Sequence, residues 1–200
     1  MEFLKEIVGF LEVNCYIIPS KKDGCVYIID PGASPVNVAN SAKSCGFDDY
    51  KIILTHAHID HVSAVKELME ILPVSLLYLH EGDMTLYNSP ANELQPLMPA
   101  VDNPPQPVNS IENCEFRIIH TPGHTRGGVC FYFEEGKSLF SGDTLFCTSI
   151  GRTDLPGGNT ETLLSSIKDN LLTLPGDTVV YPGHGPSTTI AQEKSSNPFL

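Results

Sequence analysis

Apolar and polar positions along this chain fall into two patterns, short β-branched and aromatic runs suited to strands and a helical spacing suited to helices. VNCYIIP and GCVYIID are β-branched and aromatic with the turn signal SKKDG between them, and they predict a β-meander that feeds a helix. The helix lies in DPGASPVNVANSAKSCG, where Ser34 can cap, Pro35 suits the first turn and Gly46 suits the end. KIIL predicts a short buried strand. After it Val62, Val65, Leu68, Met69 and Leu72 recur at helical spacing until Pro73 stops the pattern, and VSLLYLH predicts another strand. EFRIIH, GVCFYF and SLF read as strands, ETLLSSIKDNLL as a helix with Leu163, Leu164, Ile167 and Leu171 on one face, and TVVY as the last strand.

Residues 88–110 fit neither pattern. Pro90, Pro96, Pro99, Pro104, Pro105 and Pro107 exclude a long regular element, while Leu94, Leu97, Met98 and Val101 are too apolar for a solvated linker. The expectation is a partly ordered loop lying against the body, beside a site. Strands and helices alternate on either side of it, which predicts an α/β fold and hints at a duplicated architecture, with residue-level similarity too weak to claim a repeat.

Composition narrows this. The 200 residues are 41% apolar and 18% charged, which suits one folded domain spanning residues 1–200 with no internal boundary. A net charge of -12 weighs against nucleic-acid and anionic-membrane partners. No apolar run approaches a membrane span, and MEFLKEIVGF lacks the continuous apolar core of an export signal. The expected location is therefore the cytoplasm, where Cys15, Cys25, Cys45, Cys114, Cys130 and Cys147 would be free thiols.

The candidate chemistry sits where predicted strands end. KIIL runs into THAHIDH, FRIIH into TPGH, SLF into SGD and TVVY into PGHG. If these ends converge on one rim they form the kind of site that α/β sheets carry there. The inventory is His56, His58, Asp60, His61, His124, Asp143 and His184. Five imidazoles and two carboxylates exceed the four ligands of a tetrahedral zinc and suit two metals sharing a carboxylate. Histidines two apart in extended chain project to one side, so His56 and His58 can bind one ion, with Asp60 and His61 reaching a second. Nitrogen and oxygen donors without thiolate suit zinc, iron or manganese. Asp60 as a simple helix N-cap is the competing explanation for that residue. His80 and His120 fit no metal spacing, and Cys147 lacks a dedicated activating histidine, so a packed thiol is the better reading there.

THAHIDH, TPGHTRGG, SGDTLF and PGHG, in this order, resemble the metallo-β-lactamase superfamily, and GDTLF followed by IGRTDLPGG is similar to its short glyoxalase II-like (hydroxyacylglutathione hydrolase-like) bacterial branch. The resemblance implies a four-layer αβ/βα sandwich. It places a first metal on His56, His58 and His124, a second on Asp60, His61 and His184, and Asp143 as the bridge. It also implies an outer-shell role for Asp30, with a turn residue before Pro31 as the alternative. The implied activity is metal-dependent hydrolysis of a small-molecule acyl thioester by a metal-activated water, with two divalent ions, zinc before iron or manganese, and with Asp60 helping to orient that water. The fifteen residues PSTTIAQEKSSNPFL after PGHG are too short for the helical glutathione-binding extension of full-length glyoxalase II. Arg152 could instead fork onto a substrate carboxylate or pair internally with Asp154. The alternatives to a hydrolase are a mono-iron oxygenase resembling persulfide dioxygenases, with iron on His56, His124 and Asp143, and a non-catalytic metal-binding protein.

Overall fold

The computed structural model describes residues 1–94 and 96–200; Gln95, within the proline-rich stretch, lies outside the described residues. The chain divides into two compact units, Glu2–Glu115 and Phe116–Leu200 together with Met1.

In the N-terminal unit, β1 (Leu4–Val8), β2 (Val13–Ser20), β3 (Cys25–Ile29), β4 (Tyr50–Ile53) and β5 (Val74–Tyr78) form one sheet in that order. The β1–β2 and β2–β3 pairs are antiparallel, and β3–β4 and β4–β5 are parallel. Parallel neighbours need crossovers. α1 (Pro35–Ser44) supplies the first, and α2 (Ile59–Val62) with α3 (Val65–Ile71) the second. Val38, Ala39 and Ala42 of α1 and Val65 and Leu68 of α3 pack with Ile17, Val26, Ile28 and Ile52 of the sheet. The buried strand β3 reads as an unbroken apolar run because residues on both of its faces are covered. A short α4 (Met84–Tyr87) follows β5 through a 3₁₀ turn, Glu81–Asp83.

Three details depart from the sequence-based expectations. Ser34 sits at φ +56 and makes no side-chain cap, although Pro35 does open the helix. The helix expected from Val62 onward is divided, because Ala64 N–H leaves the helical ladder and donates to Pro31 O at 3.2 Å while Ser63 Oγ donates to Gly32 O at 2.7 Å. Strand β1 was not anticipated, since Leu4 and Ile7 are exposed and LKEIV has no clean alternation. The proline-rich stretch lies against this unit. Met98 and Val101 pack on its core, and Val108 exchanges backbone hydrogen bonds with Leu77 and Leu79 beside β5.

In the C-terminal unit, β6 (Arg117–His120), β7 (Val129–Phe133) and β8 (Ser138–Gly142) precede a two-stranded ribbon, β9 (Leu145–Phe146) with β10 (Ser149–Ile150). Then come α5 (Thr160–Ser166), a π-helical turn over Ile167–Leu171, β11 (Val179–Pro182), β12 (Thr188–Thr189) and α6 (Ile190–Ser196). The sheet order is β12-β11-β8-β7-β6. Leu163, Ile167 and Leu171 cover Cys130, Tyr132, Leu139 and Val180, as the helical face read from the sequence requires, whereas Leu164, expected on the same face, is only half-buried and stands outside that cluster. α6 and β12 were not foreseen.

The two sheets share a plan. Each starts as an antiparallel meander, β1-β2-β3 or β6-β7-β8, and then crosses over a helix to a parallel neighbour, β4 or β11. THAHIDH follows the end of β4, and β11 ends within PGHG, at Pro182. Among the described residues, no helix is long and apolar enough to cross a membrane.

Candidate metal centre

In the N-terminal unit the parallel strands β3 and β4 end side by side, Ile29 opposite Ile53. The chain leaves β3 through Asp30, a non-glycine residue at φ +52, which turns its carboxylate across to the end of β4. That carboxylate is buried and accepts three hydrogen bonds: from Thr55 N at 2.8 Å, Thr55 Oγ1 at 2.6 Å and His61 Nδ1 at 2.9 Å. The turn reading of Asp30 is therefore correct but incomplete, because the residue also orients a candidate ligand histidine.

A proton count follows. Asp30 is an acceptor, so His61 carries its proton on Nδ1. Thr55 Oγ1 gives its one proton to Asp30, so at its 3.0 Å contact with His56 Nδ1 it accepts, and His56 is also protonated on Nδ1. Both rings then carry their acceptor lone pair on Nε2. The rings of His56 and His58 have centroids 4.9 Å apart, near perpendicular, and those of His56 and His61 are 4.2 Å apart. Asp30, His56 and His61 have ligand atoms within 4.8 Å of one another. Because Asp30 already receives the Nδ1 proton of His61 and the N–H and hydroxyl protons of Thr55, which in turn accepts from His56 Nδ1, this group is a support for the ligands and not a metal cage in itself.

Asp60 lies inside the first turn of α2, and the residue at the cap position is His58, with no side-chain cap bond. The capping explanation for Asp60 therefore does not hold. Its carboxylate stands 3.6 Å from His61 Nε2. Gly32 explains how this turn comes so near the end of β3. A Cβ at position 32 would lie 1.5 Å from Asp60 O, so no side chain fits.

In the C-terminal unit β8 and β11 are parallel neighbours, and Gly183 N–H donates to Gly142 O at 2.8 Å, which brings Asp143 and His184 to adjacent strand ends. Asp143 Oδ2 is 3.6 Å from His184 Nε2 and also 3.6 Å from His124 Nε2. His124 sits in the turn after β6, where its Nδ1 donates to Arg152 O at 2.7 Å. A carbonyl only accepts, so His124 joins His56 and His61 in the same tautomer. Gly151 allows that strap to pass, since a Cβ there would fall 1.9 Å from Asp143 O and 3.2 Å from His124 Cβ.

Arg152 contributes a backbone carbonyl to the site, which sequence reasoning missed. Its exposed guanidinium forks onto Asp154, with both hydrogen bonds at 2.7 Å. Those bonds are the largest cause that holds the Asp154 carboxyl down to about 2. The fork therefore survives through the ordinary carboxylate range and is lost only as pH falls towards 2. The ribbon β9–β10 is tied down by the C-terminal helix. Buried Glu193 accepts from Thr148 N at 2.9 Å and Asn197 Nδ2 at 2.8 Å, and Asn197 Nδ2 also reaches Ser149 O at 3.1 Å.

The remaining candidates have other partners. His80 Nδ1 accepts from Gly82 N, and His120 Nε2 bonds to Arg126 O. All six cysteines are thiols, and burial pushes the Cys130 thiol up to about 11. Gln192 Nε2 lies 3.9 Å from the Sγ of half-buried Cys147. The donor set is thus imidazole nitrogen with carboxylate oxygen, and His56, His61 and His124 are buttressed through Nδ1 so that Nε2 is their free donor. That chemistry fits a divalent zinc, iron or manganese ion.

Comparison with known proteins agrees with this chemistry. A family model of the metallo-β-lactamase superfamily matches residues 8–184. The chain is 37% identical to the hydroxyacylglutathione hydrolase GloC of Haemophilus influenzae, over 96% of this chain and 95% of that protein. Among solved structures, the BLEG-1 B3 metallo-β-lactamase superposes with a TM-score of 0.88 at 36% identity, covering 100% of this chain and 99% of the other. TTHA1623, in a di-iron-bound form, gives 0.86 at 39% identity, covering 98% and 100%. By its strand-end motifs, its α/β fold and these matches, the chain belongs to the metallo-β-lactamase superfamily.

Proposed function

We propose that this chain is a binuclear metal-dependent hydrolase of small acyl thioesters. His56, His58 and His124 would hold one divalent ion, Asp60, His61 and His184 the other, and Asp143 both. The observation that carries the two-metal reading is the single Asp143 oxygen 3.6 Å from two imidazole Nε2 atoms. One carboxylate oxygen shared evenly between two histidines suits a bridge better than a ligand to one ion. Zinc is the preferred metal, with iron and manganese compatible with the same donors.

Ions bound there would lower the pKa of a coordinated water from about 15.7 towards neutrality and polarise an acyl oxygen. The chain's own part is to hold the donors still. Asp30 and the Arg152 carbonyl keep His61 and His124 protonated on Nδ1, so Nε2 stays a donor to metal. Asp60 would orient the attacking water by accepting its hydrogen bond. A thiolate leaves as a weak base and needs little help from a general acid, which suits a site built from metal donors. The likeness to GloC supports a thioester as substrate.

Elemental analysis of protein purified without added metal should find about two metals per chain. Zinc-, iron- and manganese-loaded protein should then hydrolyse S-lactoylglutathione or simpler thioesters, and failure on every thioester with all three metals refutes the reading. A chromogenic cephalosporin belongs in the same assay, because the likeness to BLEG-1 favours β-lactam hydrolysis as a second reading. About one iron per chain, with oxygen consumed on a persulfide, would make the chain an oxygenase instead.

Arg152 remains the candidate substrate contact, since its paired guanidinium is exposed. Arg152→Ala is expected to raise KM for an anionic thioester about threefold to tenfold, the loss of one charge-assisted hydrogen bond weakened by solvent at an exposed site. Metal content should not change, because the backbone carbonyl that holds His124 is retained. An unchanged KM would confine the guanidinium to its pairing with Asp154.

A further inference from the structure

Two peptide groups join His56 to His58, and each is pinned by one side chain from outside the turn. The N–H of Ala57 donates to Asp83 Oδ2 at 3.0 Å, and the carbonyl of Ala57 accepts from Asn92 Nδ2 at 2.7 Å. Ala57, Asp83 and Asn92 are all buried, so neither bond competes with bulk water. We propose that Asp83 and Asn92 are positioning residues that clamp the His56–Ala57–His58 turn in its metal-binding geometry before metal arrives. This rests on the metal-centre reading above and adds to it a function for the proline-rich stretch.

Both clamp residues are themselves held. Asp83 closes the 3₁₀ turn after β5, donating its own N–H to His80 O at 3.0 Å, and His80 Nδ1 fixes the same turn by accepting from Gly82 N at 3.1 Å. Asn92 donates its N–H to Ser89 O at 3.0 Å. Beyond it, Lys66 Nζ holds Asp102 O at 2.7 Å, and Val108 returns to β5 through bonds with Leu77 and Leu79. Asn92 thus reaches the metal turn with its amide side chain, and at Val108 the chain lies again beside β5. The prolines of this stretch reduce the freedom that ordering such a long loop would cost. Extended backbone at His58, with φ -60 and ψ 144, is stabilised by no ladder of its own, which is why side chains must do the pinning.

Asn92→Asp tests this. Aspartate keeps the shape, removes the Nδ2 donor and sets a carboxylate oxygen against the Ala57 carbonyl. Zinc affinity, measured by competition with a chelator, should fall about tenfold or more for one of the two ions, as is typical when a partner behind the ligands is lost. The visible absorption of the cobalt-substituted protein should change, and kcat should fall with KM little altered. Gln106→Ala, an exposed change in the same loop, should leave all three at wild-type values. Wild-type zinc affinity and cobalt spectrum in Asn92→Asp would overturn the clamp while leaving the metal centre intact. A wild-type protein that binds no metal would overturn both. If Asn92→Asp does not fold, amide hydrogen exchange on metal-free wild-type protein decides. The Ala57 amide should be as protected as those of β4, and exchange at the rate of an exposed loop would overturn the proposal.

Discussion

Asp143→Ala should lose metal from both proposed positions and cut thioester hydrolysis on the order of a thousandfold or more. Removing a bridging carboxylate withdraws several kcal/mol of charge stabilisation from the reacting centre, and about 4 kcal/mol corresponds to three powers of ten in rate. The structural warrant is the equal 3.6 Å spacing of Asp143 Oδ2 to His124 and His184. His184→Ala is the matched comparison, because that ring, 3.6 Å from Asp143, is assigned to the proposed second position and not the first, so its loss should lower the stoichiometry from about two towards one. Elemental analysis with single-turnover rates on both variants checks this. Small and equal metal losses from the two would argue against a bridge, and an unchanged content of one iron in His184→Ala would favour the mono-iron oxygenase.

Gly32→Ala should be the most damaging of the small substitutions. Its methyl would stand 1.5 Å from Asp60 O and 2.6 Å from Asp60 C, both backbone atoms, so the turn carrying Asp60 and His61 must move away from the end of β3. Forced overpacking of this kind costs about 3 kcal/mol, which for a chain of this size lowers Tm by about 6–12 °C. The displaced turn also pulls His61 from Asp30, so zinc affinity should fall about tenfold in the same variant. Gly24→Ala separates the two effects. Gly24 is at φ +65 with nothing within 4 Å, so it bears only the backbone strain of about 1 kcal/mol and should leave metal binding untouched. A Gly32→Ala protein that melts and binds zinc like the wild type would show that the turn does not need its close approach to β3.

Much of the site was legible because metal chemistry constrains residue type and spacing over a few positions. THAHIDH, GH, GD and PGHG stand at strand ends, and the strands are found where the β-branched, aromatic and apolar runs put them. Three of the four residues read as one helix face, Leu163, Ile167 and Leu171, are buried in the core, since burial on one side leaves a local mark at every turn, while Leu164 lies at its margin. Where the pattern failed, a longer-range bond had taken over. The split after Val62 exists because Ala64 N–H bonds to Pro31 O and not to its helical partner. β1 carries exposed Leu4 and Ile7, so alternation could not announce it.

The sequence alone determined the donor types, their attachment to strand ends and the metal-binding class, because those follow from short-range spacing and from the chemistry of imidazole and carboxylate. Tertiary structure decided which ring nitrogen each resolved histidine offers, why Gly32 and Gly151 cannot carry side chains, and why a proline-rich loop contains Asn92. The reason is physical. Asp30 meets His61 across 31 positions, His124 meets the Arg152 carbonyl across 28 and Asn92 meets Ala57 across 35. A hydrogen bond between groups so far apart in sequence depends on where the folded backbone brings them, and no local pattern of residues encodes that.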